Sequence, residues 1–269
     1  MEALKAQAVA SRDELLAKIG TRHFLDPFLL CSSQHCQVYG GLAEENARTS
    51  RAVAETRGEV LLRDGGGGLI PAYYSASCGG FGESNENVWG TPPDPSLRGR
   101  VDGDASALSA FAGGITGANL RAFLDAPAEK FACGRTKSAK GRFRWQVKLA
   151  AADLDRLVSA ELPQVGAVKS LEPLGRGVSG RITKLRLTGD RGTATMEGEL
   201  KIRRLLGGLK SSLFLVTGDR TAGFTLDGAG FGHGVGLCQT GAIGMAESGV
   251  DYKKILGHYY PGSHVRKLY

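Results

Sequence analysis

The stretch Gly228-Ala229-Gly230-Phe231-Gly232-His233-Gly234-Val235-Gly236-Leu237-Cys238-Gln239-Thr240-Gly241-Ala242 sets the reading of the whole chain. It gathers an imidazole, a thiol and a carboxamide within seven residues, with a glycine on each side of His233. Glycine accepts positive φ and lets other backbone or a ligand come close. Upstream, Ser212-Leu213-Phe214-Leu215-Val216 reads as a strand; downstream, Gln239 to Ser248 reads as a short helix ended by Gly249. His233 is therefore expected in a tight strand-to-helix turn, a common place for a functional side chain. The same glycines would also suit a buried hairpin in which His233 is a satisfied polar group.

Outward from that turn the composition points the same way. Forty of the 269 residues are glycine, about twice the usual share, and most fall in turn-like clusters between short apolar runs. The pattern predicts an α+β fold of strand-rich antiparallel sheets with a few short helices. Alternation marks strands at Arg144–Leu149, Val168–Pro173, Ile182–Thr188, Thr193–Glu197 and Leu213–Val216, with Gly-Asp turns at 189–192 and 218–219. Gly58–Leu62 and Leu69–Ser75 read as two strands joined by the Asp64–Gly68 turn. Leu4, Ala8, Ser11, Leu15 and Ile19 define one helix face, with Arg12, Asp13 and Glu14 at its solvated edge. Residues 43–56 are read as helical, Asp153 as the cap of a helix over 154–160, and Arg203–Gly207 as a helical turn. Asp251–Tyr260 is a capped helix stopped by Pro261-Gly262. Residues 105–141 are irregular and read as an inserted or linking segment.

Several function classes fall away. The net charge of +7 is compatible with a polyanionic partner, but Lys and Arg are scattered and no nucleic-acid motif accompanies them. No run approaches the roughly 20 apolar residues of a membrane span. The chain opens inside a helical pattern at Met1-Glu2-Ala3-Leu4, with no signal peptide, which suggests a missing beginning.

The densest chemistry is His23 followed by Cys31-Ser32-Ser33-Gln34-His35-Cys36. Two thiols and two imidazoles within fourteen residues make a tetrahedral Zn²⁺ set. Adjacent His35 and Cys36 can both ligate only on a kinked backbone. A Cys31–Cys36 disulfide or two unrelated thiols remain open alternatives. Cys78, at a strand end before two glycines, is either a nucleophile with His233 as its base or a buried thiol.

Five blocks in order carry a resemblance: Glu2–Ala10, Cys31–Tyr39, Ser77-Cys78-Gly79-Gly80 with Val88-Trp89-Gly90, Ser179-Gly180-Arg181, and Gly232–Gln239 with His258–Gly262. Together they resemble the SpoIID/LytB family, named for stage II sporulation protein D and an amidase enhancer. The resemblance runs essentially end to end, implying one domain over 1–269. It implies an exported protein acting on peptidoglycan glycan strands, either as a lytic transglycosylase or as a non-catalytic module that enhances an N-acetylmuramoyl-L-alanine amidase. Transglycosylation needs one carboxylic acid, because the muramoyl 6-hydroxyl is the internal nucleophile. The family's acid lies upstream of the Glu-Ala-Leu-Lys-Ala-Gln block, before Met1, so Glu2 is the nearest catalytic candidate in this chain. The resemblance further implies Arg12, Cys78, Glu83, His233 and Gln239 as substrate-binding residues. It also implies a structural Zn²⁺ held by His23, Cys31, His35 and Cys36.

Overall fold

Eighteen helices and strands are described. In chain order they begin with α1 (Glu2–Lys18), α2 (Ala47–Glu55), β1 (Glu59–Arg63), β2 (Tyr74–Ser75), α3 (Asn85–Trp89) and α4 (Leu120–Asp125). Next come β3 (Arg144–Leu149), α5 (Ala151–Glu161), β4 (Val168–Arg176), β5 (Ile182–Gly189), β6 (Thr193–Glu197) and α6 (Glu199–Leu205). The chain closes with β7 (Phe214–Asp219), β8 (Gly223–Ala229), β9 (Leu237–Cys238), α7 (Gln239–Glu247), α8 (Tyr252–Tyr259) and β10 (Ser263–Lys267). The computed structural model describes residues 1–33, 35–106 and 108–268. The fold is α+β, built on small sheets that are mostly antiparallel. No described helix is long and apolar enough to cross a membrane.

Two apolar cores divide the work. One lies among α5, α6 and the two three-stranded sheets, β3-β8-β7 and β4-β5-β6, and is filled by Leu154, Val158, Leu185, Leu187, Ile202 and Phe214. The other gathers on α1 and is filled by Ala6, Val9, Leu61, Ile70, Phe123, Phe131, Leu237 and Tyr260. Residues 105–141 join this second core through Leu108, Phe111, Ile115, Leu120, Phe123, Phe131 and Cys133. The stretch carries little regular structure and still contributes a ladder of tilted and edge-on rings, Phe111–Phe123–Phe131–Phe143.

Several sequence expectations are corrected. The buried face of α1 is Ala6, Val9, Ala10, Asp13 and Glu14, not the stripe from Leu4 to Ile19. The helix is packed by α2, α7, α8 and β1 together, and its small alanines let those neighbours close in. Asp13 and Glu14 are buried rather than solvated because each has a partner inside: Asp13 Oδ2 accepts from the Leu61 amide at 2.6 Å, and Glu14 pairs with Lys18. β1 meets the segment ahead of β2 through a short Leu62–Leu69 bridge and the bonds of Ile70 N to Leu61 O and Arg63 N to Gly68 O, but not β2 itself. β1 instead pairs antiparallel with β10, and β2 pairs parallel with β9, joining the two ends of the chain. The cap of α5 is Ala150, and Asp153 sits in its first turn, paired with Arg156. α2 starts at Ala47 because Asn46 and Thr49 form a reciprocal capping box.

Candidate functional site

β8 ends at Ala229, and the chain turns through Gly230, Gly232, Gly234 and Gly236, all at positive φ, before β9 and α7. Two of these positions exclude any side chain for a reason that can be named. A Cβ on Gly234 would lie 2.5 Å from Arg181 Cζ, and one on Gly236 would lie 2.1 Å from the Tyr73 carbonyl oxygen. The turn is pinned by the Glu83 amide donating to Gly234 O at 2.8 Å and by paired bonds between Ser77 and Phe231. Arg181 lies buried beneath it and donates to Ser179 Oγ at 2.9 Å and to the Cys78 carbonyl at 3.2 Å.

His233 is half-buried in this turn. Its Nδ1 accepts the Val235 amide at 3.1 Å, which places the proton of the neutral ring on Nε2. Burial, then the nearby Arg181 charge, push its pKa down to about 3. The ring lies 5.1 Å from Trp89, which lies 4.4 Å from Tyr73. Trp89 is 41% exposed. Trp89 and Tyr73 make an accessible aromatic platform, with the neutral imidazole held beside it between the Val235 amide and the Tyr74 backbone. Trp89 and Tyr73 were not expected as site residues, although Val88-Trp89-Gly90 already stood out in the sequence.

On the far side of β9, Gln239 opens α7. Its Nε2 donates to Gln7 Oε1 at 3.1 Å, and Gln7 Nε2 donates to Ser11 Oγ at 2.8 Å, so a hydrogen-bonded row runs from α7 onto α1. Gln7 and Gln239 line a cleft of about 680 Å³, together with Met1, Arg48, Thr49 and Arg142. Among the described residues neither Arg48 nor Arg142 has an acidic partner. The carboxylate on the lining is that of Glu247, which is exposed. A smaller depression of about 390 Å³ lies beside Gly113–Gly117 and β4, with Arg176 and Thr116 among its lining residues.

The other expected residues sit elsewhere. Glu2 occupies the first turn of α1, where its carboxylate meets Lys5 at 3.3 Å and the Tyr252 amide at 3.0 Å. Arg12 donates to the Glu59 carbonyl at 2.6 Å and ties α1 to β1. Glu83 is buried and fully engaged: it accepts from Asn87 Nδ2 at 2.8 Å, Val178 N at 3.1 Å and Ser179 Oγ at 2.5 Å. Its carboxylate holds the 177–179 turn over which Arg181 is laid. Cys78 is buried among other thiols, and its burial raises the thiol pKa well above the usual range.

The structure brings His23, Cys31, His35 and Cys36 together, their ligand atoms all within 4.8 Å of one another. His23 Nε2 lies 3.1 Å from Cys36 Sγ, and His35 Nδ1 lies 3.6 Å from Cys36 Sγ and 3.8 Å from Cys31 Sγ. Bonds of about 2.0–2.3 Å to a tetrahedral ion give ligand separations of about 3.3–3.8 Å, so the set fits one metal ion. The Cys36 amide bonds back to Ser33 O at 3.1 Å, supplying the kink that lets both His35 and Cys36 point inward. Asp26 Oδ2 sits on His23 Nδ1 at 2.7 Å, the carboxylate partner that commonly orients a ligating imidazole. Hydrogen bonding from Ser33 pulls the Cys31 thiol down to about 5, which favours its thiolate. His23 has φ 57°, an unusual backbone for a side-chain-bearing residue and one often found at ligating positions. From Ile19 to Gly40, Cys36 alone among the described residues is buried. With so little apolar burial of its own, the loop would gain order from a metal cross-link.

An α+β domain with an open cleft between the start of its first helix and α7, and a Cys/His cluster past the other end of that helix, is the class of protein defined so far. Residues 1–62 match the family model described as "Stage II sporulation protein", and residues 83–236 match a domain of unknown function, DUF8618. The chain is 29% identical over 98% of its length to the amidase enhancer of Bacillus subtilis (strain 168), covering 38% of that protein. It is 29% identical to an uncharacterized protein of Brachyspira hyodysenteriae, covering 97% of this chain and 60% of that one. It is also 27% identical to stage II sporulation protein D of Bacillus amyloliquefaciens, again over 97% of this chain and over 67% of that protein. The chain belongs to the SpoIID/LytB family. It spans 38% and 60% of the length of the first two of these relatives.

Proposed function

We propose that this chain is a single SpoIID/LytB domain that works outside the cell on peptidoglycan, binding peptide-stripped glycan strands in the α1–α7 cleft. The observation that carries this reading is the Gln239–Gln7–Ser11 row in a cleft bearing two unpaired arginines. Carboxamides and hydroxyls suit the hydroxyl and acetamido groups of an amino-sugar chain. A muramoyl residue stripped of its stem peptide exposes a free lactyl carboxylate, and Arg48 and Arg142 offer it charge-assisted hydrogen bonds. The Trp89–Tyr73 rings offer an apolar face to a pyranose, with the neutral His233 ring packed beside it.

The reaction proposed is lytic transglycosylation. A carboxylic acid delivers a proton to the leaving GlcNAc oxygen as the muramoyl C1–O bond breaks. The 6-hydroxyl of the same muramoyl residue attacks C1, and the carboxylate takes its proton, leaving a 1,6-anhydro end. Glu2 is occupied by Lys5 and the Tyr252 amide, outside the cleft lining. Met1 lies on that lining, so an acid carried just ahead of it in a longer form, as the family resemblance implies, would enter the cleft. A second reading has its own support. The exposed Glu247 is a poor general acid, because burial is what raises a carboxyl pKa for that task. The likeness to an amidase enhancer covers almost the whole chain. In that reading the domain holds strands for an amidase partner.

His23, Cys31, His35 and Cys36 are proposed to hold one structural Zn²⁺, which supplies a cross-link to the exposed loop and takes no part in glycan chemistry. Metal analysis of the purified chain tests this, with Cys31→Ser expected to remove that ion. For the strands, co-sedimentation with peptide-stripped and peptide-bearing glycan is the test. Preferential retention of stripped strands, reduced in Arg48→Ala and Arg142→Ala, is expected; equal retention of both, unchanged in the variants, would contradict the reading.

A further inference from the structure

A second cluster lies in the interior, away from the loop site. Cys78, Cys133, Cys238 and Asp102 come from four separate segments, and each is at most 2% exposed. Their ligand atoms also lie within 4.8 Å of one another, and all the cysteines are free thiols. We propose that these four residues bind one divalent, thiophilic metal ion of the Zn²⁺ class, clamping the β2–β9 pair and the start of α7 to the segments around residues 102 and 133.

Distance is the first argument. Cys78 Sγ lies 3.7 Å from Cys133 Sγ and 3.1 Å from Asp102 Oδ2. Two sulfurs at about 2.3 Å from a tetrahedral ion stand about 3.8 Å apart. The set is too tight to wrap a polynuclear cluster, so it describes a mononuclear site. Three sulfurs and one carboxylate oxygen complete a tetrahedron without a water, which is the closed form of structural sites.

The second argument comes from the surroundings, which are arranged for anionic ligands. Cys238 Sγ accepts two backbone amides, Cys78 N at 3.1 Å and Gly241 N at 3.3 Å, and caps the nine-residue α7 at its positive end. Asp102 Oδ1 accepts the Tyr259 hydroxyl at 2.8 Å and lies 3.6 Å from His258 Nε2. That fixes the carboxylate with Oδ2 turned to the sulfurs, an outer-shell arrangement familiar around bound metals.

The third argument is charge. Arg144 is half-buried and bonds only to carbonyl oxygens, those of Gly79, Phe123, Leu124 and Phe143. Among the described residues it has no carboxylate partner within ion-pair distance. Gly79 is the neighbour of Cys78, so this cation is held against the cluster. A guanidinium largely withdrawn from water, with only the more distant Asp125 as a carboxylate counter-charge, is costly. Three thiolates and one carboxylate around a divalent ion carry a net negative charge, and Arg144 is placed to balance it.

The site is physically separate from the His23 loop, so the two are separable by mutation. The test uses the full 269-residue chain and its C31S/C36S variant, which lacks the loop thiolates. Metal content, absorption after Co²⁺ substitution, and folding by circular dichroism are read for both. Folded C31S/C36S is expected to retain about one ion per chain, with thiolate-to-cobalt charge transfer from a tetrahedral thiolate-rich site. Adding C133S or C238S is expected to abolish both signals. Folded, metal-free C31S/C36S with three reduced thiols, or with a Cys78–Cys133 disulfide in its peptide map, overturns the proposal. If C133S or C238S misfolds, the metal content and cobalt spectrum of C31S/C36S still decide. An ion present in the unmodified chain, lost in C31S and with none kept in C31S/C36S leaves the loop site standing and this one not; a single ion in the unmodified chain that is kept in C31S/C36S and lost with C133S does the reverse.

Discussion

Gln239 and Gln7 stand 232 positions apart in sequence and meet at 3.1 Å, the side-chain amide of the first donating to the carbonyl oxygen of the second. The contact joins α7 to α1 in a cleft that is otherwise open, so its groups are available to a ligand as well as to each other. Gln239→Ala and Gln7→Ala are each expected to weaken binding of peptide-stripped strands about tenfold, the worth of one or two polar contacts at roughly 1 kcal/mol each. The melting temperature should hardly move. Co-sedimentation and thermal melts on the same samples check both statements; a large loss of stability with unchanged binding would make the pair merely structural.

Gly234 and Gly257 make a matched comparison. A Cβ at position 234 would strike the Arg181 guanidinium, on a backbone at φ 81°. One at position 257, inside α8, meets nothing within 4 Å. Gly234→Ala should destabilise by about 3 kcal/mol or more, whereas Gly257→Ala should stabilise by about 1 kcal/mol through helix propensity alone. Urea denaturation of the two variants measures the contrast, and equal effects would refute the packing described around the turn.

Asp13 makes stability depend on pH in an unusual direction. Burial, partly offset by the Leu61 amide, raises its pKa from 3.8 to about 7. The folded state therefore holds a proton that the unfolded chain releases. The full contribution is present below about pH 4 and is lost as pH rises towards about 7, amounting to roughly 4 kcal/mol at most. Asp13→Asn keeps the acceptor for Leu61 and should flatten this part of the profile. Unfolding free energies of both proteins between pH 4 and pH 8 provide the check.

His233 behaves in the opposite way. Its pKa is depressed to about 3 by burial and by Arg181, so the folded ring stays neutral while the unfolded one takes a proton. Its contribution is present above about pH 6.5 and is lost as pH falls towards 3. Nitrogen-15 NMR of the imidazole should show one tautomer, protonated on Nε2, from pH 8 down to about pH 4. Titration near pH 6.5 would remove the buried neutral ring from the account. Trp89→Ala should weaken strand binding while leaving that NMR signature intact.

The turn around His233 was legible because each of its glycines occupies a conformation or a contact that a side chain would violate. The capped helix at Asp251 was legible for a similar local reason: its carboxylate accepts the Lys253 and Lys254 amides at 3.0 Å each. The loop cluster was readable from residue types alone, since four metal-binding side chains lie within fourteen positions. The interior cluster was not, because Cys78, Asp102, Cys133 and Cys238 come together only through tertiary packing. The pairing of β1 with β10 was hidden for the same reason, as was the burial of Asp13, whose partner is an amide 48 positions away. Glu83 read as a cleft residue because its motif stands beside Trp89; its actual partners, Val178 and Ser179, lie about 95 positions downstream.

The central claim is that the α1–α7 cleft receives glycan strands for cutting. It is tested most directly by digesting purified, peptide-stripped strands and reading the products by mass spectrometry. The 269-residue chain is run beside a form extended upstream to include the residue that would enter the cleft ahead of Met1. The account predicts 1,6-anhydro-muramoyl ends from the extended form, lost when its upstream Glu is changed to Gln, with binding retained in both forms. Intact strands from both forms, with binding preserved, would contradict cleavage and leave the domain as a strand-holding partner of an amidase.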